Sequence, residues 1–221
     1  MVEKRVLLFL GEGFEDLEAV SVLSVCGWTE YRSHLPQVRV VTTGLHGEVR
    51  GRFGLRIRPD LQLHEVDPRD YTALAVPGGF HSHGYDEAYC QPLRDLAKAI
   101  HAQGGTIATM CVGVLPVAEA GLLQREKATS YAFSRRHDNL GRLRELGCIP
   151  TPGPIEVSNR IISCSGPAQA IEVAMLLLET IIGRAAAVEV RTYMCGTGGH
   201  QWAGGEQEAL ALSGADSGKK G

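Results

Sequence analysis

The stretch Thr106-Ile-Ala-Thr-Met-Cys-Val-Gly-Val-Leu-Pro116 reads as a strand that ends at a cysteine and turns at once into a helix. Thr106 to Met110 is a short β-favouring run. Pro116 fits the first turn of the helix that follows, where its missing N–H would have gone unpaired anyway. This is the layout of a nucleophile elbow, in which the backbone turns sharply and the reactive atom sits at the mouth of the helix. Free N–H groups and the partial positive charge of the helix start both favour a thiolate over a thiol. Cys111 reads equally well as a core cysteine, since free cysteine is among the most buried residue types. The surrounding elements decide between these readings.

Upstream, Val6 to Leu10 is a continuous apolar run, the mark of a strand covered on both faces. Gly11-Glu-Gly-Phe-Glu-Asp-Leu-Glu18 then opens a helix to about Cys26, its start crowded with Glu12, Glu15, Asp16 and Glu18. Such acids match the positive end of a helix dipole. Strands are expected at Val38 to Thr42 and Tyr71 to Val76, with a hairpin around Val49 to Ile57 between them. Pro77-Gly-Gly-Phe80 stops the second strand, and its glycines let backbone N–H groups approach a ligand. Leu93, Leu96, Ala97 and Ile100 give a helix over Gln91 to Gln103, stopped by Gly104-Gly105.

Downstream, the elbow helix is expected to end near Gly121 and Lys127 to Tyr131 to form a short strand. Ser134 is expected to N-cap a helix carrying Leu140, Leu143 and Leu146, ended by Gly147. Ile155–Val157 and Ile161–Cys164 flank Ser158-Asn-Arg160 as a hairpin. Ser165-Gly-Pro167 opens the strongest helix, with Ile171, Ala174, Met175, Leu178, Ile181 and Ile182 as its core stripe and Gly183 as its stop. The expected domain spans 1–191, and 192–221 reads as a flexible Gly-rich tail.

Alternating strands and helices predict an α/β fold: a mostly parallel open sheet with helices on both faces, binding ligands outside the carboxyl ends of its strands. Glu18, Gly78-Gly79 and Cys111 all lie just past such ends, which favours the catalytic reading of Cys111.

Composition narrows the function. A net charge of −3 over 221 residues argues against nucleic acid. The longest apolar region, Ile171 to Ile182, is interrupted by Glu172 and Glu179 and is too short to span a bilayer. Six scattered cysteines without CxxC, in a chain showing no export signal, predict reduced thiols in the cytoplasm, with no disulfide framework and no structural zinc.

Gly-Phe-Glu-Asp-Leu-Glu18-Ala, Val76-Pro-Gly-Gly79, Ala108-Thr-Met-Cys111-Val-Gly and Ser163-Cys-Ser-Gly-Pro167, in this order, resemble the ThiJ/PfpI family of the class I glutamine amidotransferase-like superfamily. The resemblance runs from about Val6 to Gly183. It implies a flavodoxin-like three-layer sandwich, a homodimer, Cys111 as nucleophile and Glu18 as the acid that hydrogen-bonds its sulfur. It also implies an oxyanion hole from the N–H groups of Gly79 and Val112. Gly78, Phe80, His81 and Tyr131 are candidates to line the site, and neither a cofactor nor a metal is expected. A carboxyl beside a thiolate stays protonated and can shuttle the proton.

The sequence departs from the family where many members carry a histidine, here Tyr131. A phenol is a poor base at neutral pH and a serviceable donor, so a peptidase-like Cys–His dyad is disfavoured unless His81, His83 or His137 supplies the base. The expected activity is cysteine-dependent conversion of a small electrophilic carbonyl, glyoxalase- or deglycase-like. The alternatives are a redox-sensing or chaperone-like protein built on an oxidisable Cys111, a peptidase or amidase, and an isonitrile hydratase. Val112, where that last branch usually has threonine, argues against the hydratase.

Overall fold

The structure is a computed structural model that describes residues 3–196. Its first half contains β1 (Lys4–Leu10), α1 (Asp16–Gly27), β2 (Val38–Gly44), β3 (Val49–Arg50), β4 (Arg56–Ile57), β5 (Leu61–Gln62), β6 (Ala73–Val76) and α2 (Gln91–Ala102). There follow β7 (Thr106–Met110), α3 (Val114–Glu119), β8 (Lys127–Ala128), α4 (Asn139–Glu145), β9 (Ile149–Pro150), β10 (Ile155–Ser158), β11 (Ile161–Cys164), α5 (Ala170–Ile182) and α6 (Arg184–Cys195).

Seven strands form the central sheet in the order β10-β11-β7-β6-β1-β2-β5. Every pairing in it is parallel except β10 with β11. The apolar run of β1 is explained by its two faces. Val6, Leu8 and Leu10 pack under α1, α5 and α6, while Leu7 and Phe9 join the core under α2, α3 and α4. Alternation of side chains along a strand turns one apolar run into two cores. The result is the expected three-layer sandwich.

Several local expectations are corrected. The expected strand to Tyr131 stops at Ala128 and pairs only with β9, outside the central sheet. Thr129 is tied instead to Ser163 Oγ through its N–H (3.1 Å) and to the Gly153 carbonyl through its hydroxyl (2.9 Å). Asp138, not Ser134, caps α4 by accepting from the Gly141 N–H at 2.8 Å. Ser134 Oγ accepts from the N–H groups of Arg136 and His137 and so shapes the loop before the helix. Ile171 is exposed, and α5 buries Val173, Ala174, Leu177 and Leu178.

The chain does not stop being helical at Gly183. That glycine, at φ 85°, turns it into α6, whose Ala187 and Val190 are buried against the α1 side of the core. The expected boundary at residue 191 therefore falls inside a helix that runs to Cys195. The rest of the expected tail, 197–221, lies outside the described residues. Among the described residues no helix is long and apolar enough to cross a membrane.

Candidate active site

β7 delivers Cys111 to the carboxyl edge of the sheet, and the backbone there is strained. Cys111 has φ 52°, a left-handed conformation that costs a non-glycine residue free energy and concentrates at functional sites. The strain is held from several sides. Ser130 Oγ donates to the Cys111 carbonyl at 2.9 Å. Gly78 packs so closely that a Cβ there would lie 2.7 Å from Cys111 Cβ and 2.9 Å from the Met110 carbonyl oxygen. Gly113 would drive a Cβ into the Val76 carbonyl. Ser130 was not legible as a site residue, since a serine in a loop carries no signal of what it holds.

Cys111 is half-buried and lines a cavity of about 800 Å³ together with Gly79, Phe80, His81, Val112 and Tyr131. Gly78 lies behind the elbow rather than in the cavity wall. All of the sequence-derived site residues except Glu18 and Gly78 thus face one space. Burial pushes the Cys111 thiol up, the charge of Glu18 pushes it further, and the Val112 N–H directed at the sulfur works against both. The thiolate favoured at a helix mouth is therefore opposed here by the low polarity of the elbow's surroundings.

Glu18, on the first turn of α1, is fully buried. Its Oε2 accepts from the Gly78 N–H at 2.6 Å, while Oε1 has no hydrogen-bond partner among the described residues. The hydrogen bond to sulfur that the family resemblance implies is not formed: Oε2 is held by the Gly78 N–H, and Oε1 does not meet the sulfur. Its charge nonetheless reaches the sulfur, raising Cys111, Cys164 and Tyr85 alike. Burial pushes Glu18 up to about 8, against the pull of the Gly78 N–H and with help from Glu15. The acid is thus mostly protonated at neutral pH, and since Oε2 is an acceptor the proton sits on Oε1.

The other acids at this helix start have separate duties. Glu15 caps it by accepting from the Glu18 N–H at 2.8 Å. Asp16 instead binds the N–H groups of Phe53 and Leu55 at 2.8 and 2.9 Å, and Glu12 that of Arg50 at 3.0 Å. The dipole explanation therefore covers only part of the cluster, the remainder being clamps on the β3–β4 hairpin.

Tyr85 is the support that sequence reasoning missed. Its ring lies where a Cβ on Gly79 would fall, and its buried hydroxyl donates to the Pro77 carbonyl. Together with the Phe80 N–H to Gly13 carbonyl bond (2.9 Å), this holds the Gly-Gly turn against the elbow.

Of the three histidines, the structure brings two to the cavity. His81 and His137 stack with centroids 4.8 Å apart, and Tyr89 OH lies 3.3 Å from His81 Nε2. Burial lowers the His81 pKa. His83 turns away to Ser82 Oγ at 2.9 Å. Among the described residues no group of three or more His, Cys, Asp or Glu side chains is arranged to hold a metal ion.

Known proteins are similar to this chain in sequence and fold. The model of the DJ-1/PfpI family matches residues 4–180. The chain belongs to the DJ-1/PfpI family. It is 25% identical over 192 residues to Protein DJ-1 homolog A of Arabidopsis thaliana, covering 86% of this chain and 46% of that protein. The chain thus spans about half the length of that relative. It is 27% identical over 183 residues to the glutathione-independent glyoxalase DJR-1.2 of Caenorhabditis elegans, covering 82% of this chain and 90% of the relative. A Pyrococcus furiosus relative named Deglycase PfpI is 31% identical over 85 residues, 38% of this chain and 50% of that one. Among solved structures, oxidized Toxoplasma gondii DJ-1 superposes with TM-score 0.72 at 26% identity, covering 87% of this chain and 98% of that one. Proteins named glyoxalase and deglycase are therefore among this DJ-1/PfpI chain's relatives.

Proposed function

We propose that this DJ-1/PfpI protein is a cofactor-free, cysteine-dependent enzyme acting on small reactive carbonyls, with Cys111 as nucleophile and Glu18 as proton shuttle. The observation that carries this reading is the strained Cys111 on a cavity wall, with a buried and unpartnered carboxyl oxygen behind it. A buried unpaired polar atom costs about 1–3 kcal/mol, and a catalytic proton transfer gives that cost a purpose.

With a 2-oxoaldehyde the sulfur adds to the aldehyde carbon, and the thiol proton goes to the new hydroxyl of the hemithioacetal. The N–H groups of Gly79 and Val112 steady the oxygen as it gains charge. Glu18, in its ionised form, takes the proton from the former aldehyde carbon and returns it to the neighbouring carbon, while the hemithioacetal hydroxyl proton passes to the neighbouring oxygen, which converts the hemithioacetal to a 2-hydroxy thioester. Water cleaves that ester, releasing a 2-hydroxy acid and the thiol, so that one dicarbonyl and one water give one hydroxy acid.

The deciding experiment is the appearance of lactate from methylglyoxal and its disappearance in Cys111→Ala. Turnover that survives this substitution would sink the reading. A second reading, redox sensing, is favoured by the exposure of the same sulfur to the cavity. It predicts a sulfinic mass shift under mild peroxide in a protein that turns over no carbonyl. A peptidase dyad would need His81 or His137, the two cavity histidines, to pair with Cys111; His81 instead meets Tyr89 OH and stacks on His137.

The protein is further proposed to work in the cytoplasm as a homodimer. Leu17 and Val20 of α1 and Leu55 of the hairpin are exposed, and Asp16 ties hairpin and helix into one patch. Burying such a patch against a second copy is what an apolar surface of this kind favours.

A further inference from the structure

The cavity is much larger than glyoxal or methylglyoxal requires, and its lining is divided by chemistry. Its apolar lining comes from Phe53, Phe80, Val112, Tyr131 and Pro167. Its cationic lining comes from the loop before α4, where Arg135 and Arg136 precede His137. Both arginines are exposed, and among the described residues neither has a carboxylate within 4.0 Å. The Ser134 turn holds this loop, since Ser134 Oγ accepts from both Arg136 and His137. The single carboxylate in the lining, Glu15, is engaged with the backbone of α1. A chain of net charge −3 thus carries cations without a carboxylate partner at the rim of the cavity that holds Cys111.

We propose that this cavity selects carbonyl compounds bearing a carboxylate on an aromatic body, with the carbonyl at Cys111, the ring against the apolar lining and the carboxylate at Arg135 and Arg136. The inference rests on the carbonyl-enzyme reading for its chemistry, though not for its binding. An arginine fork matches a carboxylate in two-point geometry. An apolar lining that includes three aromatic side chains accommodates a phenyl group better than it does a methyl.

Two measurements on the full chain test it. Initial rates of hydroxy-acid formation are compared for phenylglyoxal and 4-carboxyphenylglyoxal, which differ only in the distal charge. The carboxylated compound is expected to have about tenfold higher kcat/KM, mostly through KM. That ratio should fall towards one in the R135A/R136A double variant and shrink in high salt. A ratio of one or below in the wild type, or one unchanged in the double variant, would overturn the proposal.

The second arm uses Cys111→Ser and two unreactive ketones, 4-acetylbenzoate and acetophenone, and so avoids the arginine modification that dicarbonyls cause. Calorimetry should give at least about fivefold tighter binding of the benzoate, abolished by R135A/R136A. Equal binding overturns the anion subsite. If neither dicarbonyl turns over while 4-acetylbenzoate is still preferred, the carbonyl-enzyme reading fails and the subsite stands.

Discussion

Glu18 Oε2 accepts a 2.6 Å hydrogen bond from the Gly78 N–H, and this bond fixes the acid of α1 behind the backbone turn that abuts Cys111. Three segments far apart in sequence meet there, so the consequences can be tested one residue at a time.

Glu18 should make stability fall as pH rises. Its folded-state pKa is about 8 against an ordinary 4.5, so between those values the folded protein holds a proton that the unfolded chain has released. Stability is then full below about pH 4.5 and is lost progressively up to about pH 8, on the order of 5 kcal/mol in all. Glu18→Gln keeps an acceptor for Gly78 and removes the titration. Its melting temperature should be flatter than the wild type's between about pH 5 and pH 9, while its kcat drops about a hundredfold or more. Parallel melting curves for the two proteins would count against a neutral Glu18.

Alkylation of Cys111 should report the same coupling. Burial and the Glu18 charge both raise the thiol. Iodoacetamide rates measured against pH should therefore place its titration above that of a free thiol, and Glu18→Gln should move it down. A wild-type midpoint below neutrality would mean that the Val112 N–H and the helix mouth outweigh burial.

Gly78→Ala tests the packing on the elbow. The added Cβ would sit 2.7 Å from Cys111 Cβ and 2.9 Å from a backbone carbonyl, neither of which is the free end of a flexible side chain. A loss of about 1–3 kcal/mol in urea unfolding is expected, together with a fall in kcat from a displaced sulfur. Full activity would show that the elbow relaxes more easily than its packing implies.

Tyr131→Phe should raise KM a few-fold and leave the fold intact. The side chain lines the cavity, and its position is set by the Asn139 Nδ2 to Tyr131 carbonyl bond of 2.7 Å, which the substitution keeps. Unchanged kinetics would show that the hydroxyl does not meet the substrate.

Leu17→Glu should convert the proposed dimer to a monomer without unfolding it, because the side chain is 49% exposed. Sedimentation at micromolar concentration would show the mass halve. A variant that keeps the wild-type mass would move the interface elsewhere.

The sequence by itself determined the layers and the main strands of the central sheet. Runs such as Val6 to Leu10 and the helical spacing of Leu93, Leu96, Ala97 and Ile100 are local signals, and hydrophobic periodicity is local too. It also placed Cys111 where a strand runs straight into a helix, because that pattern is contiguous along the chain. What only the tertiary structure decided are relations between segments. Glu18 faces Gly78 and leaves one oxygen unpartnered, Tyr85 props the Gly-Gly turn, His81 and His137 meet while His83 does not, and the loop of Arg135 and Arg136 lines the cavity. Hydrogen bonds and charges act over a few ångströms in space with no regard to separation along the chain. Burial sets the proton affinities of Glu18 and Cys111, and it exists only once the three layers have closed.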